Sequence, residues 1–514
     1  MLKIINNSIP RPNAPPPMSA PPPPWADDPA WLKGEPMPQQ LTALSKAWYR
    51  PNYALFHAMG LGKTYTAINL AAGRFETAQI EALVVICPTG VKNVWPMEIE
   101  KWCPIKTDVH VHVAGGNRDT DLFIESKTDK MKILIFGVEA LSQGGASAHL
   151  NKIVLRHKTM IVLDESDTIK THNKIRTKKI IAAGEYAKFK LIMTGTEITQ
   201  GIHDLWSQFR FLHEKIIGHK SFFGFRATYC MMGGFQGKQI IGYTNSDQLM
   251  ARISPFTDIV SKQEAMPWLP PKTYEQRLVD PSPEQKKVMM DLKDLMSAEY
   301  QGETLEIETV LERLTRYQQI VGGNYPFEVT DDKGSHYETR PFESNPKMGA
   351  LLEVIEEMGQ DKVIIWARFK AELRAIAKAL EPYGEVVQFH GDIDDAGRKD
   401  AVQRFQFGSA RFMVSNQAVG GVGQTWTAAS KVIYYSNTFS YRDRMQSEDR
   451  CHRKGTVNPV LYVDITMNHP IDRLIVNTLR NKGGIADYVK GELMRIQNGL
   501  PESMTNSVEP TGGT

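Results

Sequence analysis

Cysteine is scarce in this chain: Cys87, Cys103, Cys230 and Cys451 are the four in 514 residues, and no two form a CxxC pair. That scatter argues against a disulfide framework or a zinc ribbon and fits a reducing compartment. Long apolar runs are missing as well, with nothing near the roughly eighteen residues that a membrane span needs. Charge of one sign is not in excess, since 61 Lys and Arg stand against 58 Asp and Glu for a net +3. Any nucleic-acid contact must therefore come from local tracts and not from a wholly basic surface. The first ten residues, MLKIINNSIP, break their apolar run at Asn6 and Asn7, which is wrong for a secretory signal. These absences together point to a soluble, cytoplasmic protein with no membrane partner.

What is present is ordinary globular material, 41% hydrophobic and 23% charged. A chain of 514 residues exceeds one compact core, so roughly two to four domains are expected. Residues Pro10 to Trp25 read PRPNAPPPMSAPPPPW, which favours extended geometry because proline fixes φ and lacks a backbone donor. It reads as a leader, and the polar stretch from Pro501 to Thr514 as a tail. Between them, near-continuous apolar runs mark strands buried on both faces of a parallel sheet. They are Tyr53–Phe56, Ala82–Cys87, Lys132–Phe136, Met160–Leu163 and Leu191–Met193, then Val363–Trp366, Val386–Phe389, Phe412–Ser415, Val432–Tyr435 and Val460–Val463. Helical patterns between the runs supply the crossovers. The stretch from about Phe211 to Asn345 has few such runs and reads as helical. Two α/β sheet domains in series is the expected architecture.

Three segments carry chemistry. The first run leads into HAMGLGKT (His57–Thr64) and a helical pattern. Strand, glycine loop and helix start make a phosphate cradle, in which Lys63 reaches the β- and γ-phosphates and the Thr64 hydroxyl reaches Mg²⁺. After the run at Met160–Leu163 come Asp164 and Glu165. A turn at the strand end lets Asp164 hold Mg²⁺ while Glu165 orients the attacking water. The third segment is MQSEDRCHRKG (Met445–Gly455), where Arg450 and Arg453 are spaced to share a helix face with Gln446 on the same side. Such a face suits a polyanion; taken alone, the segment reads better as a basic surface helix.

Together these elements resemble a superfamily-two helicase-type ATPase of the Swi/Snf-like group, with the motifs in that family's order across most of the chain. MGLGKT is similar to motif I, and Met59, Gly60, Leu61, Gly62, Lys63 and Thr64 are its residues. Gln40 resembles the adenine-sensing glutamine. CPTGVKNVWPMEIEKW (Cys87–Trp102) is similar to motif Ia, with Thr89 and Lys92 implied as nucleic-acid contacts, and Glu139-Ala140-Leu141 to motif Ic. DESDTIKTHN (Asp164–Asn173) resembles motif II and MTGTEITQGIHDLWSQFRFL (Met193–Leu212) motif III, which implies that Thr194, Gly195 and Thr196 couple hydrolysis to movement. VIIWARFKAEL (Val363–Leu373) resembles motif IV. GGVGQTWTAASKVIYY (Gly420–Tyr435) resembles motif V, with Thr425 and Thr427 on the nucleic-acid backbone, and QSEDRCHRKG motif VI. The chain departs from the pattern at His57 and Ala58, which replace an acidic pair, and at Asp167, Glu197 and Thr456. None of these removes a group expected to touch phosphate or metal.

The resemblance implies an α/β fold with two tandem RecA-like P-loop domains on parallel sheets and helical insertions between them. The boundaries expected are a proline-rich disordered leader over 1–34 and a first lobe over 35–270 with a helical insertion at about 213–270. A helical insertion and linker follow over 271–345, then a second lobe over 346–495 and a flexible tail over 496–514. ATP and Mg²⁺ are the implied cofactors, with Lys63, Glu165, Arg450 and Arg453 as catalytic residues. The implied activity is ATP-driven translocation on DNA, duplex by the placement of the insertions, with sequence-independent backbone contacts. The shared motifs also fit an enzyme unwinding single-stranded DNA or RNA, or an ATP-gated clamp with weak hydrolysis. With no attached module of recognisable type, the chain is similar to bacterial or bacteriophage members. Trp426 could stack on a base, although packing between helix and sheet is the commoner fate of such a residue.

Overall fold

The computed structural model describes residues 20–479 apart from 143, 196–200, 234, 295–296, 301–302, 307–309, 332–333 and 421–425. Two compact units divide in sequence between Pro267 and Trp268. The first is built on β1 (Asn52–His57), β2 (Ala82–Cys87), β3 (Thr107–Val111), β4 (Met131–Gly137), β5 (Thr159–Asp164) and β6 (Phe189–Met193). After a helical stretch come the hairpin β7 (Cys230–Gly233) and β8 (Gln239–Tyr243), then β9 (Thr257–Val260). The sheet order is β3-β4-β2-β5-β6-β1-β9, with every pairing parallel. Strands β2 and β4, ALVVIC and MKILIFG, are buried along their whole length. Burial on both faces is the reason their sequences do not alternate.

The second unit opens with β10 (Lys272–Val279) and carries two hairpins, β11 (Ser297–Tyr300) with β12 (Glu303–Glu306) and β13 (Asn324–Asp331) with β14 (Gly334–Pro341). Its main sheet adds β15 (Val363–Trp366), β16 (Val386–Phe389), β17 (Phe412–Ser415), β18 (Lys431–Tyr434) and β19 (Val460–Met467). The order is β10-β19-β18-β15-β17-β16, again all parallel. All ten apolar runs marked in the sequence are strands of these two sheets. Trp426 is fully buried and stacks on Trp366 with ring centroids 5.4 Å apart, so it packs inside the second unit.

Several boundaries differ from the expectation. Residues 20–34 are not a disordered leader: Trp25 is buried, meets Trp48 edge-on at 5.1 Å, and the Trp48 indole donates to Pro21 O at 2.8 Å. Gly73 makes room for it, since a Cβ there would stand 2.6 Å from the Trp25 ring. Proline is tolerated at the first position of a helical turn, as at Pro24–Asp27 and Pro29–Trp31, and it does not stop neighbouring tryptophans from burying their large apolar surface. The stretch expected to be helical holds two edge strands, β9 and β10, and three hairpins. Strand β10, KTYEQRLV, shows only half-buried and exposed positions, so no apolar run betrays it. The expected tail, and the end of the second lobe beyond residue 479, lie outside the described residues.

Candidate active site

The strand order brings the ends of β5, β6 and β1 side by side, and that is where ligands bind to open parallel sheets. Beyond β1 the chain runs through the glycine loop into the helix Lys63–Glu76. Gly60 (φ 82°) and Gly62 (φ 76°) both take left-handed conformations, which lets the loop curl over the helix N-terminus. Lys63 Nζ, largely buried, donates to His57 O at 2.8 Å and reaches Ala58 O at 3.5 Å. Gln40 lies against this loop as well: its amide donates to Gly62 O at 3.3 Å and accepts from Met37 N at 2.7 Å. Leu61 is buried, Met59 and Thr64 half-buried, and Gly60 exposed.

Beyond β5, Asp164 and Glu165 diverge, as two carboxylates with separate tasks must. Glu165 adopts φ 50° and ψ 62°, a left-handed conformation costing a residue with a Cβ about 1 kcal/mol. That kink is the turn the two acids need. Asp164 Oδ2 accepts from the Trp95 indole at 3.2 Å, while Glu165 Oε2 accepts from the Thr194 hydroxyl at 3.2 Å. Gly195 closes the third side, where an added Cβ would lie 2.8 Å from Met59 Cγ and 3.5 Å from Lys63 Nζ. Burial and the adjacent Glu165 push the Asp164 carboxyl up to about 7, against the pull of Lys63 and the Trp95 hydrogen bond. A carboxylate raised by burial and an acidic neighbour in spite of the Lys63 ammonium fits an oxygen-seeking divalent cation carrying a polyphosphate. The expected Thr196 lies outside the described residues.

The residues expected to touch nucleic acid are only partly assembled. Thr89 donates to Glu139 Oε2 through both its N–H (3.1 Å) and its hydroxyl (2.6 Å), so the Ia and Ic candidates are joined to one another. Lys92 Nζ donates to His112 O at 3.4 Å. In the second unit, the Thr427 hydroxyl accepts from Gln406 Nε2 at 3.1 Å. Thr425 lies outside the described residues.

The arginines of the third segment correct an expectation. The helix Tyr441–Glu448 ends before Arg450, so Arg450 and Arg453 stand in the turns that follow it and share no helix face; only Gln446 is on the helix. The turn is pinned by Thr456, whose hydroxyl donates to Cys451 O at 2.5 Å and accepts from Arg453 N at 3.1 Å. Burial lowers the Arg453 pKa, and the neighbouring Asp449 opposes that. Behind the turn lies a charge network that sequence reasoning missed. Arg444 binds Asp464 through both terminal nitrogens (2.6 and 2.9 Å) and Glu448 through Nε (2.8 Å). Lys272 adds contacts to Glu448 (2.9 Å) and Asp449 (3.3 Å). These partners come from β10, β19 and the helix, so no local spacing announces them. Trp95 was missed for the same reason, although it sits inside a quoted motif.

A family model described as SNF2-related domain matches residues 42–324, and one described as helicase conserved C-terminal domain matches residues 346–455. The chain is 24% identical over 448 residues to the DNA annealing helicase and endonuclease ZRANB3 of Bos taurus, covering 83% of this chain and 38% of that protein. It is 25% identical over 437 residues to the uncharacterized ATP-dependent helicase MG018 of Mycoplasma genitalium, covering 82% and 39%. With TATA-binding protein-associated factor MOT1 of Saccharomyces cerevisiae it shares 23% over 492 residues, covering 84% and 26%. The chain thus spans two fifths or less of the length of these relatives. Among solved structures, the Sulfolobus solfataricus SWI2/SNF2 ATPase core in complex with dsDNA is 21% identical, with a TM-score of 0.39, covering 92% of this chain and 98% of that one. The SNF2-related model alone spans more than half of the sequence, and it contains the loop, the acidic pair and the Thr194 contact just described; the chain belongs to the SNF2-related family.

Proposed function

We propose that this chain is a nucleic-acid-dependent ATPase that couples hydrolysis to movement along duplex DNA, remodelling DNA or protein–DNA structures. The observation that carries the reading is the meeting of Lys63, Asp164, Glu165 and Thr194 around the ends of three adjacent parallel strands. Membership of the SNF2-related family and the DNA-directed name of the ZRANB3 relative support DNA as the track. RNA and single strands are the competing tracks. The four free cysteines, all buried, support a reducing compartment, and we place the protein in the cytoplasm of a bacterium or of a virus-infected cell.

In this reading Lys63 leaves the His57 and Ala58 carbonyls and neutralises the β- and γ-phosphates, while Gln40 senses adenine. Thr64 and Asp164 would hold Mg²⁺, which when bound with ATP would supply charge neutralisation at the transferred phosphoryl group. Met59, Gly60, Leu61 and Gly62 shape the cradle. Glu165 accepts a proton from the attacking water, and Thr194 fixes its carboxylate for that task. Thr194, Gly195 and Thr196 relay the state of the site. Gln446, Arg450 and Arg453 provide donors for charge that builds in the transition state. Thr89, Lys92, Thr425 and Thr427 hold phosphate oxygens of the track, without sequence readout.

The test is steady-state ATP hydrolysis with no nucleic acid, duplex DNA, single-stranded DNA or single-stranded RNA, with Glu165→Gln as the control. Duplex stimulation that weakens with salt is the expected result. Stimulation by single strands alone would move the assignment to an unwinding helicase. ATP binding without hydrolysis under every condition would make the protein a nucleotide-gated clamp.

A further inference from the structure

The loop of this chain lacks the acidic pair that precedes MGLGKT in its family, having His57 and Ala58 there. A carboxylate from another strand reaches the His57 side chain. β1 and β9 pair in parallel with Leu55 opposite Asp258 and His57 opposite Val260. Side chains two residues apart share a sheet face, so Asp258 lies diagonal to His57 on one side of the sheet. Their side chains are 1% and 0% exposed, and Asp258 Oδ2 stands 2.7 Å from His57 Nε2. The other oxygen, Oδ1, accepts from Lys46 Nζ at 2.7 Å. His57 in turn offers its carbonyl to Lys63 Nζ at 2.8 Å. The hydrogen bonding of β9 continues past the strand, with Ala58 N donating to Val260 O at 2.9 Å.

Lys46 stands on the helix Pro38–Trp48, which also carries Gln40. That helix is therefore fastened to the nucleotide loop at two points: Gln40 to Gly62 O at the loop's end, and Lys46 through Asp258 to His57 at its start. Core packing of Ala43, Leu44, Ala47 and Trp48 and the Arg74 hydrogen bonds to Ala47 O and Trp48 O hold the helix in place; the two loop contacts add its alignment against the loop, one at each end of it. A buried carboxylate satisfied on both oxygens favours one geometry, because any shift strands a charge away from water.

We propose that Lys46, Asp258 and His57 form a positioning relay that sets the helix bearing Gln40 against the nucleotide loop and so determines the preference for adenine over guanine nucleotides. The relay rests on the ATP reading above. Its members are positioning residues, since they act through Gln40 and the loop backbone and not on the phosphates. Asp258 is held below the usual carboxylate range by His57 and Lys46 against the opposing effect of burial, which agrees with an ionised link.

The test uses the full chain and fluorescent ATP and GTP analogues, with kcat and KM measured alongside. Lys46, with its side chain 38% exposed, can be replaced with little risk to folding. Lys46→Met should weaken the ATP analogue about tenfold and leave the GTP analogue nearly unchanged, narrowing the preference, with KM raised and kcat close to the parent value. Lys46→Arg should restore the parent preference, and Asp258→Asn should reproduce the Lys46→Met pattern. An unchanged ratio in Lys46→Met, or equal losses for both analogues with a lowered thermal midpoint, would overturn the relay as a specificity device. If the parent protein bound neither analogue, the ATP reading itself would fall, and the relay with it.

Discussion

The nucleotide loop of the first unit and the Arg444 network of the second handle charge in opposite ways. Beyond β5 in the first unit, burial and the adjacent Glu165 push the Asp164 carboxyl up to about 7 in spite of Lys63 and the Trp95 hydrogen bond. Around Arg444 the second unit interleaves its charges: Arg444 and Lys272 stand against Asp464, Glu448 and Asp449, and the Glu448 carboxyl is held below its usual range by Lys272 and Arg444 despite burial. A carboxylate held low by two cations contributes geometry, whereas one raised in spite of a neighbouring cation suits a further cation from outside. The contrast separates a site from a brace. In the second unit the brace holds the helix end from which Arg450 and Arg453 emerge.

The sharpest way to break this contrast is to remove the cation of the first unit. Lys63→Ala should lower ATP turnover by a factor of about 10³ or more, as expected when a preorganised charge at the transferred group is lost. Stimulated hydrolysis assays check this, and near-normal turnover would show that the loop does not cradle phosphate. The second intervention opens the brace. Arg444→Met leaves Asp464 and Glu448 facing each other's charge in a buried setting and should cost about 3–5 kcal/mol, read from urea unfolding of the full chain. A cost under about 1 kcal/mol would mean that the network is no brace.

The third and smallest effect has the opposite sign. The carboxyl of Asp164 has a higher pKa folded than unfolded, so between about pH 4 and pH 7 the native state keeps a proton that the unfolded chain has released. Stability therefore falls as pH rises through that window, and the penalty is complete above it. Asp164→Asn should thus stabilise the nucleotide-free protein by about 1–3 kcal/mol at pH 8 and change little near pH 4. Urea midpoints at both pH values measure it. A destabilised variant at pH 8 would make Asp164 a structural acid and erase the contrast between the units.

Much of the architecture was legible because continuous apolar runs mark strands buried on both faces. Edge strands escaped: β10 reads KTYEQRLV because one side of it meets water, and β3 (TDVHV) is half-buried throughout. The leader was misread beyond residue 19 because proline content hides the burial of Trp25. Within the site, Lys63, Asp164 and Glu165 were legible from glycine spacing and strand ends, both local patterns. Arg450 and Arg453 were legible as residues but not as geometry, since the helix stops at Glu448 and the arginines fall in the turns after it.

The amino-acid sequence by itself determined which segments would be buried strands, where the phosphate loop lies and which acids follow a strand. These are local properties, set by side-chain volume, polarity and backbone freedom within a dozen residues. Only the tertiary structure decided that Thr194 would hold Glu165, that Trp95 would donate to Asp164, and that Asp258 would reach His57 from a strand two hundred residues away. Such contacts depend on strand order and register, and these are settled by the packing of whole sheets, which no local pattern encodes.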